Sequence, residues 1–182
     1  MKKIELHPEI FLVENFLSSQ ECAHFIEKGE KVSFEEAKVN ISGKQTMLKG
    51  VRNNERILFK DEILAQSIWN KIAPFVPETF GIYNATGVNE LFRIYKYSEG
   101  QRFKMHRDGS YERNEKECSF FSFLIYLNEG YEGGETYFQE GITVVPKLGS
   151  ALVFHHPLKH EGKPLLSGLK YVLRTDVMYT MF

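Results

Sequence analysis

The sequence predicts a mainly β (α+β) chain: a sandwich, jelly roll or barrel of short strands, with helices confined to its first half. Three observations predict it. From Leu91 onward, short apolar runs alternate with frequent turns, several of them glycine-containing. Fifteen Phe and nine Tyr favour pleated, half-buried surfaces and a bulky interior. Helical periodicity with capping signals occurs in only two stretches, both before Pro77.

In the first half, Ile10 to Val13 is a short apolar strand. Ser18-Ser19-Gln20-Glu21 has capping-box spacing ahead of Cys22, Phe25 and Ile26 at helical intervals. A second helix from about Asp61 sets Leu64, Ile68 and Ile72 on one stripe, and Pro74 and Pro77 stop it. Between the helices, Asn40 to Arg56 is polar and basic, with Lys44, Lys49, Arg52 and Arg56 against the single acid Glu55. It reads as a mobile loop or irregular hairpin and a candidate entrance loop, with a solvated surface role favoured over a binding one.

The second half supplies the strands. Leu91 to Tyr97 is followed by the turn Ser98-Glu99-Gly100, and Phe103 to Asp108 by the nearly all-apolar Phe120 to Leu127. The glycine-rich Gly130 to Gly134 precedes Thr136-Tyr137-Phe138. Ile142 to Val145, Ala151 to Phe154 and Tyr171 to Met181 complete the set.

Composition sets outer bounds. At 182 residues, 42% hydrophobic and 26% charged, the chain suits one globular domain. A preface of about residues 1–90 leads into a β core over 91–182. The formal net charge of -1 gives no electrostatic argument for nucleic acid or a membrane surface. Two distant cysteines, Cys22 and Cys118, speak against a disulfide framework or thiolate zinc site and suit a reducing compartment. Neither an apolar leader nor a membrane-length run is seen, so the expected location is cytoplasmic.

Two local patterns carry chemistry. On a strand, His106 and Asp108 share a face. With His160 they would form two imidazoles and a carboxylate on one side of a metal, the facial triad of non-haem Fe(II) oxygenases. His-x-Asp alone reads equally well as a hairpin edge, since Asp108-Gly109 is itself a turn signal. His155 and His156 compete with His160. The second pattern is Lys170 and Arg174, four apart on one strand and facing one side across Val172. Two cations in an apolar strand need an anionic partner or solvated tips, and a dicarboxylate would serve. Tyr97 and Tyr126 would add hydroxyl donors if their strands face the same cavity; buried core tyrosines are the other reading.

A longer string ties these patterns together. It runs Tyr97-x-x-Gly100-Gln101-x-Phe103-x-x-His106-x-Asp108, Tyr126-Leu127-Asn128, Gly133-Gly134-Glu135-Thr136-x-Phe138 and Pro146-x-x-Gly149-x-Ala151-x-x-Phe154. It ends with His160-x-Gly162-x-Pro164 and Gly168-x-Lys170. In order and spacing it resembles the catalytic domain of the prolyl 4-hydroxylase-like 2-oxoglutarate/Fe(II)-dependent oxygenases, over about residues 91–182.

The resemblance implies a double-stranded β-helix, a cupin-like jelly roll, with the N-terminal helices packed on it and the site in its open end. It puts His106, Asp108 and His160 on the iron ligands. Lys170 falls on the basic residue that pairs with the distal carboxylate of 2-oxoglutarate, and Tyr97 and Tyr126 fall on positions lining that cosubstrate. Arg174 ranks second for the carboxylate role, or reaches the other carboxylate or the substrate. Fe(II), 2-oxoglutarate and O2 are the implied cofactors, with ascorbate as an auxiliary. The implied reaction hydroxylates a C–H bond and releases succinate and CO2. Asp108 favours hydroxylation over halogenation, since related halogenases lack that carboxylate. The substrate is expected to be a peptide or protein side chain of prolyl type, or a small molecule. A cupin-like metal-dependent non-oxygenase, or a silent binding module, is the competing reading. A cupin isomerase has no need of the Lys170/Arg174 anchor, and the complete triad argues against a silent module.

Overall fold

Two sheets facing each other across a cavity are organised by one strand, Lys170–Met181. The computed structural model describes residues 1–181 except 38, 42, 43, 47 and 49, with side chains described outside 38–45. Strands make up 49% of the described residues and helices 13%, a mainly β double-stranded β-helix. Lys170–Met181 runs antiparallel between Glu117–Tyr126 and Leu91–Tyr97, with Lys170 opposite Tyr97, Val172 opposite Tyr95 and Arg174 opposite Leu124. The large sheet continues outward through Ala151–His155, Ile10–Glu14 and Lys2–His7 on one side and Glu55–Lys60 on the other.

Alternation along these strands divides the interior. Tyr171, Leu173, Val177 and Tyr179 point to one face and join a core with Phe92, Ile94, Phe123 and Ile125. The two helices cover that face. Ser19–Glu30 is closed by a full capping box: Ser18 Oγ accepts from Glu21 N at 3.2 Å, and Glu21 Oε2 accepts from Ser18 N at 2.8 Å. Glu62–Ile72 begins at Asp61, whose Oδ1 accepts from Leu64 N, and ends before Pro74. Their buried faces set Phe25, Ile68 and Ile72 on the sheet; each such side chain contributes roughly 1.5–3 kcal/mol when fully removed from water.

The opposite face carries Tyr95, Tyr97, Tyr126 and Val172, which pack with Phe138, Phe154 and Leu165 in a second core between the sheets. The small sheet closes this space in the order Phe103–His106, His160–Gly162, Thr136–Phe138, Thr143–Val144, all antiparallel.

Two expectations need correction. The Phe103 strand ends at His106, so Asp108 lies just beyond it rather than on its face. The strand expected over Ile142 to Val145 shortens to Thr143–Val144. Of the two readings of the polar segment from Asn40 to Arg56, the hairpin is the one seen: Val39–Ile41 pairs antiparallel with Lys44–Thr46, while Arg56 already belongs to Glu55–Lys60 of the large sheet. Lys49 and the side chain of Lys44 lie outside the described residues.

Candidate metal centre

His106 and His160 are paired across the small sheet, directly opposite one another in register. Their rings lie 4.2 Å apart, centroid to centroid. Each Nδ1 is 2.8–3.1 Å from the carbonyl oxygen two residues earlier, Lys104 for His106 and Leu158 for His160. A carbonyl only accepts, so each Nδ1 donates and each Nε2 is the ring atom turned toward the other two residues. The Phe103 ring stacks on His106 at 3.4 Å and the Phe154 edge meets His160, which fixes both rings.

Asp108 comes to the same point from beyond the strand. Its backbone N donates to the His156 carbonyl oxygen. Its Oδ1 is 3.5 Å from His106 Nε2 and its Oδ2 3.6 Å from His160 Nε2. One ligand atom from each of the three residues lies within 4.8 Å of the other two. Burial alone would raise the Asp108 carboxyl, but Arg174, then His160 and His106, hold it well below the usual carboxylate range. Burial pushes His160 down to about 4, with Asp108 opposing the shift, so its imidazole is neutral at pH 7. Two imidazoles and one carboxylate suit a first-row divalent ion. The buried Nε2 of His106 has no hydrogen-bond partner, an orphaned lone-pair site of the kind a metal ion would satisfy.

The cavity that holds this cluster is also lined by Tyr95, Tyr97, Tyr126, Thr136, Lys170 and Arg174 among others. Lys170 and Arg174 do face one side, but their surroundings differ. Lys170 is buried with its Nζ over the rings of Tyr97 and Tyr126, 5.3 and 5.5 Å from their centroids, and donates to the Gly134 carbonyl oxygen. Burial lowers it to about 8, with Glu135 opposing. Gly134 sits at φ +70°, where a side chain is strained, and a Cβ there would stand 3.2 Å from Lys170 Cδ. Arg174 instead donates from Nη1 to Asp108 Oδ1 at 2.9 Å, and its Nη2 lies 3.4 Å from Asp176 Oδ1. Tyr126 shares a 2.8 Å hydrogen bond with Thr136.

Several contributors carried no motif. Ser122 Oγ donates to Asp108 Oδ2 at 2.6 Å and lies 2.9 Å from His156 Nδ1, while His156 Nε2 lies 2.8 Å from Ser119 Oγ. His156, a competitor of His160 in the sequence, instead supports Asp108 through Ser122. His155 does stand apart, paired with Glu9 at 2.8 Å. Two serines inside the apolar run Ser119-Phe120-Phe121-Ser122 were the available signal. Arg52, expected on a solvated loop, is only 4% exposed, its guanidinium 4.4 Å from the ring centroids of both Tyr95 and Phe103.

Residues 92–175 match the family model described as 2OG-Fe(II) oxygenase superfamily. Among curated proteins, the chain is 30% identical to "Probable prolyl 4-hydroxylase 7" of Arabidopsis thaliana, over 90% of this chain and 60% of the relative's length. It is 26% identical to a "Putative prolyl 4-hydroxylase" of Acanthamoeba polyphaga mimivirus, over 89% of this chain and 71% of that one. Two solved structures share the fold. The viral collagen prolyl hydroxylase of Paramecium Bursaria Chlorella virus-1, in complex with 2OG, aligns with a TM-score of 0.67 at 22% identity, covering 95% of this chain and 97% of that one. A Trichoplax adhaerens prolyl hydroxylase, in complex with a hypoxia inducible factor oxygen degradation domain peptide fragment, aligns with a TM-score of 0.69 at 18% identity, covering 93% and 83%.

Proposed function

From the match of residues 92–175 to the 2OG-Fe(II) oxygenase superfamily, we propose that the chain is an Fe(II)- and 2-oxoglutarate-dependent hydroxylase of that superfamily. The observation that carries the reading is one cavity holding both the His106, Asp108 and His160 cluster and a buried lysine. Among the described residues no helix is long and apolar enough to cross a membrane. The two free cysteines favour a reducing, cytoplasmic setting.

His106, Asp108 and His160 would hold Fe(II) through two Nε2 atoms and one carboxylate oxygen. When bound, the iron and 2-oxoglutarate supply the oxidation of a C–H bond by O2, with succinate and CO2 as co-products. The chain's own share is positioning. Lys170 offers a cation for the distal carboxylate, desolvated and therefore strong once paired. Tyr97 and Tyr126 flank that cation, and the Tyr126 hydroxyl is oriented by Thr136. Arg174 and Ser122 keep Asp108 ionised and aimed at the two histidines. Phe138, Phe154 and Val172 keep water from the reacting centre. The hydroxylated group is a prolyl-type side chain of a peptide or protein, or a small molecule.

Anaerobic titration with Fe(II) and 2-oxoglutarate is the test. A weak visible metal-to-ligand charge-transfer band is expected, absent in His106→Ala and Asp108→Ala. No band in the unaltered protein, or a band unchanged in both variants, would sink the reading.

A further inference from the structure

Arg174 and Arg93 stand directly opposite one another in register, on the neighbouring strands Lys170–Met181 and Leu91–Tyr97. Like charges in that relation are unfavourable and need a counter-charge. Asp176, two residues beyond Arg174 on the same face, supplies it. Its Oδ1 lies 3.4 Å from Arg174 Nη2 and its Oδ2 3.3 Å from Arg93 Nη1. Arg174 Nη1 in turn donates to Asp108 Oδ1 at 2.9 Å. Charges of alternating sign therefore run outward from a metal-facing carboxylate, in the order Asp108, Arg174, Asp176, Arg93.

Burial gives this ladder its weight. The side chains of Asp108 and Asp176 are only 5% and 3% exposed, and Arg93, at 18%, is the most open rung. Charges so placed are screened little by solvent. Arg174 alone would act against the metal centre as well as for it. It aims Asp108, but an unbalanced guanidinium also competes for the carboxylate's charge and repels an arriving divalent ion. With Asp176 on its Nη2, the Arg174–Asp176 pair is neutral as a unit, and Asp108 keeps its charge for the ion. Asp176 also lies opposite Ser122, which donates to Asp108 Oδ2, so both supports of Asp108 meet at one place on the large sheet.

Resting on the hydroxylase reading, we propose that Asp176 is a positioning residue for the metal centre: it balances Arg174, so that this arginine aims Asp108 without drawing its charge away from the ion, and Arg93 anchors it. A purely structural Asp176 would do no more than separate the two facing arginines. The two roles differ in sign. Asp176→Asn and Arg93→Gln break the same 3.3 Å pair from opposite sides, and a structural contact would suffer alike from either. Charge balance predicts opposite effects, since Asp176→Asn leaves one more positive charge beside the ion and Arg93→Gln leaves one fewer.

The test is anaerobic calorimetric titration of the full, metal-free chain with Fe(II) alone, with thermal melting of each protein alongside. Asp176→Asn should bind Fe(II) at least about tenfold more weakly, in the range typical of outer partners of metal ligands. Arg93→Gln should bind within about threefold of the unaltered protein, or more tightly, even where its melting temperature falls. An unaltered Fe(II) affinity in Asp176→Asn, or a weakening of similar size in both variants, would overturn the proposal. Should Asp176→Asn fail to fold, Arg93→Gln still decides: retained affinity supports charge balance, and a loss of about tenfold contradicts it. The charge-transfer band on adding 2-oxoglutarate judges the hydroxylase reading separately. Fe(II) uptake without that band overturns the hydroxylase reading alone, and the order of affinities still decides the role of Asp176. An unaltered protein that takes up no Fe(II) overturns both.

Discussion

Ser122 and His156 are joined by a hydrogen bond of 2.9 Å whose direction is set by what lies at either end. The Ser122 hydroxyl proton is committed to Asp108 Oδ2, so Ser122 Oγ accepts from His156 Nδ1–H. His156 Nε2 must then accept from the Ser119 hydroxyl, which in turn accepts from Tyr111 N. Burial lowers His156, in keeping with the neutral ring this chain requires. Every donor points toward Asp108, so three neutral side chains stabilise one carboxylate without adding charge.

Ser122→Ala removes the contact that aims Asp108. Outer partners of metal ligands are typically worth about 10–100-fold in metal affinity. Calorimetric Fe(II) titration under anaerobic conditions should show a loss in that range, smaller than the loss in His106→Ala. An unchanged affinity would mean that Arg174 alone orients Asp108.

Lys170→Ala should weaken 2-oxoglutarate binding more than Arg174→Ala does. Losing one partner of a buried charge-assisted pair costs about 2–5 kcal/mol, a factor of roughly 30 or more. Arg174 is already engaged by Asp108 and Asp176, so its removal should fall mainly on metal affinity. The two affinities measured separately in both variants decide this, and a reversed order would reassign the cosubstrate anchor to Arg174.

The lysine also sets a pH dependence. Only its protonated form pairs with a carboxylate, and burial lowers it to about 8. The apparent 2-oxoglutarate dissociation constant should therefore be flat below about pH 7 and rise toward tenfold per unit above pH 8. Lys170→Arg, whose guanidinium stays charged throughout, should bind with a flat profile. Titrations from pH 6.5 to 9.5 on both proteins check this.

Gly134→Ala tests the cradle under that lysine. A residue at φ +70° costs roughly 1–2 kcal/mol when it carries a Cβ. The new methyl would also crowd Leu165 Cδ1 at 3.1 Å and the lysine stem at 3.2 Å. We expect a melting temperature lower by a few degrees, together with weaker 2-oxoglutarate binding. A loss of stability with unaltered binding would show that the stem can move aside.

The most legible features in the sequence were those with a period or a cap. Ser18 and Asp61 announce their helices through local hydrogen bonds, and Leu91–Tyr97 has the expected limits because its ends coincide with polar turns. The metal cluster was legible as spacing, yet the geometric reason offered for it was incomplete. Asp108 meets His106 through a chain turn held by His156 and Ser122, not through strand alternation. Arg52 was unreadable because a basic residue in a polar stretch has solvent as its expected partner. Only the tertiary fold brings Tyr95 and Phe103 around it. His156 escaped for a related reason, since its partners lie 34 and 37 residues away on another strand.

The three metal-facing donors do not belong to one layer. His106 and His160 ride on the small sheet, whereas Asp108 is tethered by Arg174 and Ser122 to the large one. An ion shared by all three is thus a rivet between the layers, and its loss would let them part along the seam where Phe138 and Phe154 meet Tyr126 and Val172. Occupancy of the centre then governs how tightly the molecule is shut as well as its chemistry.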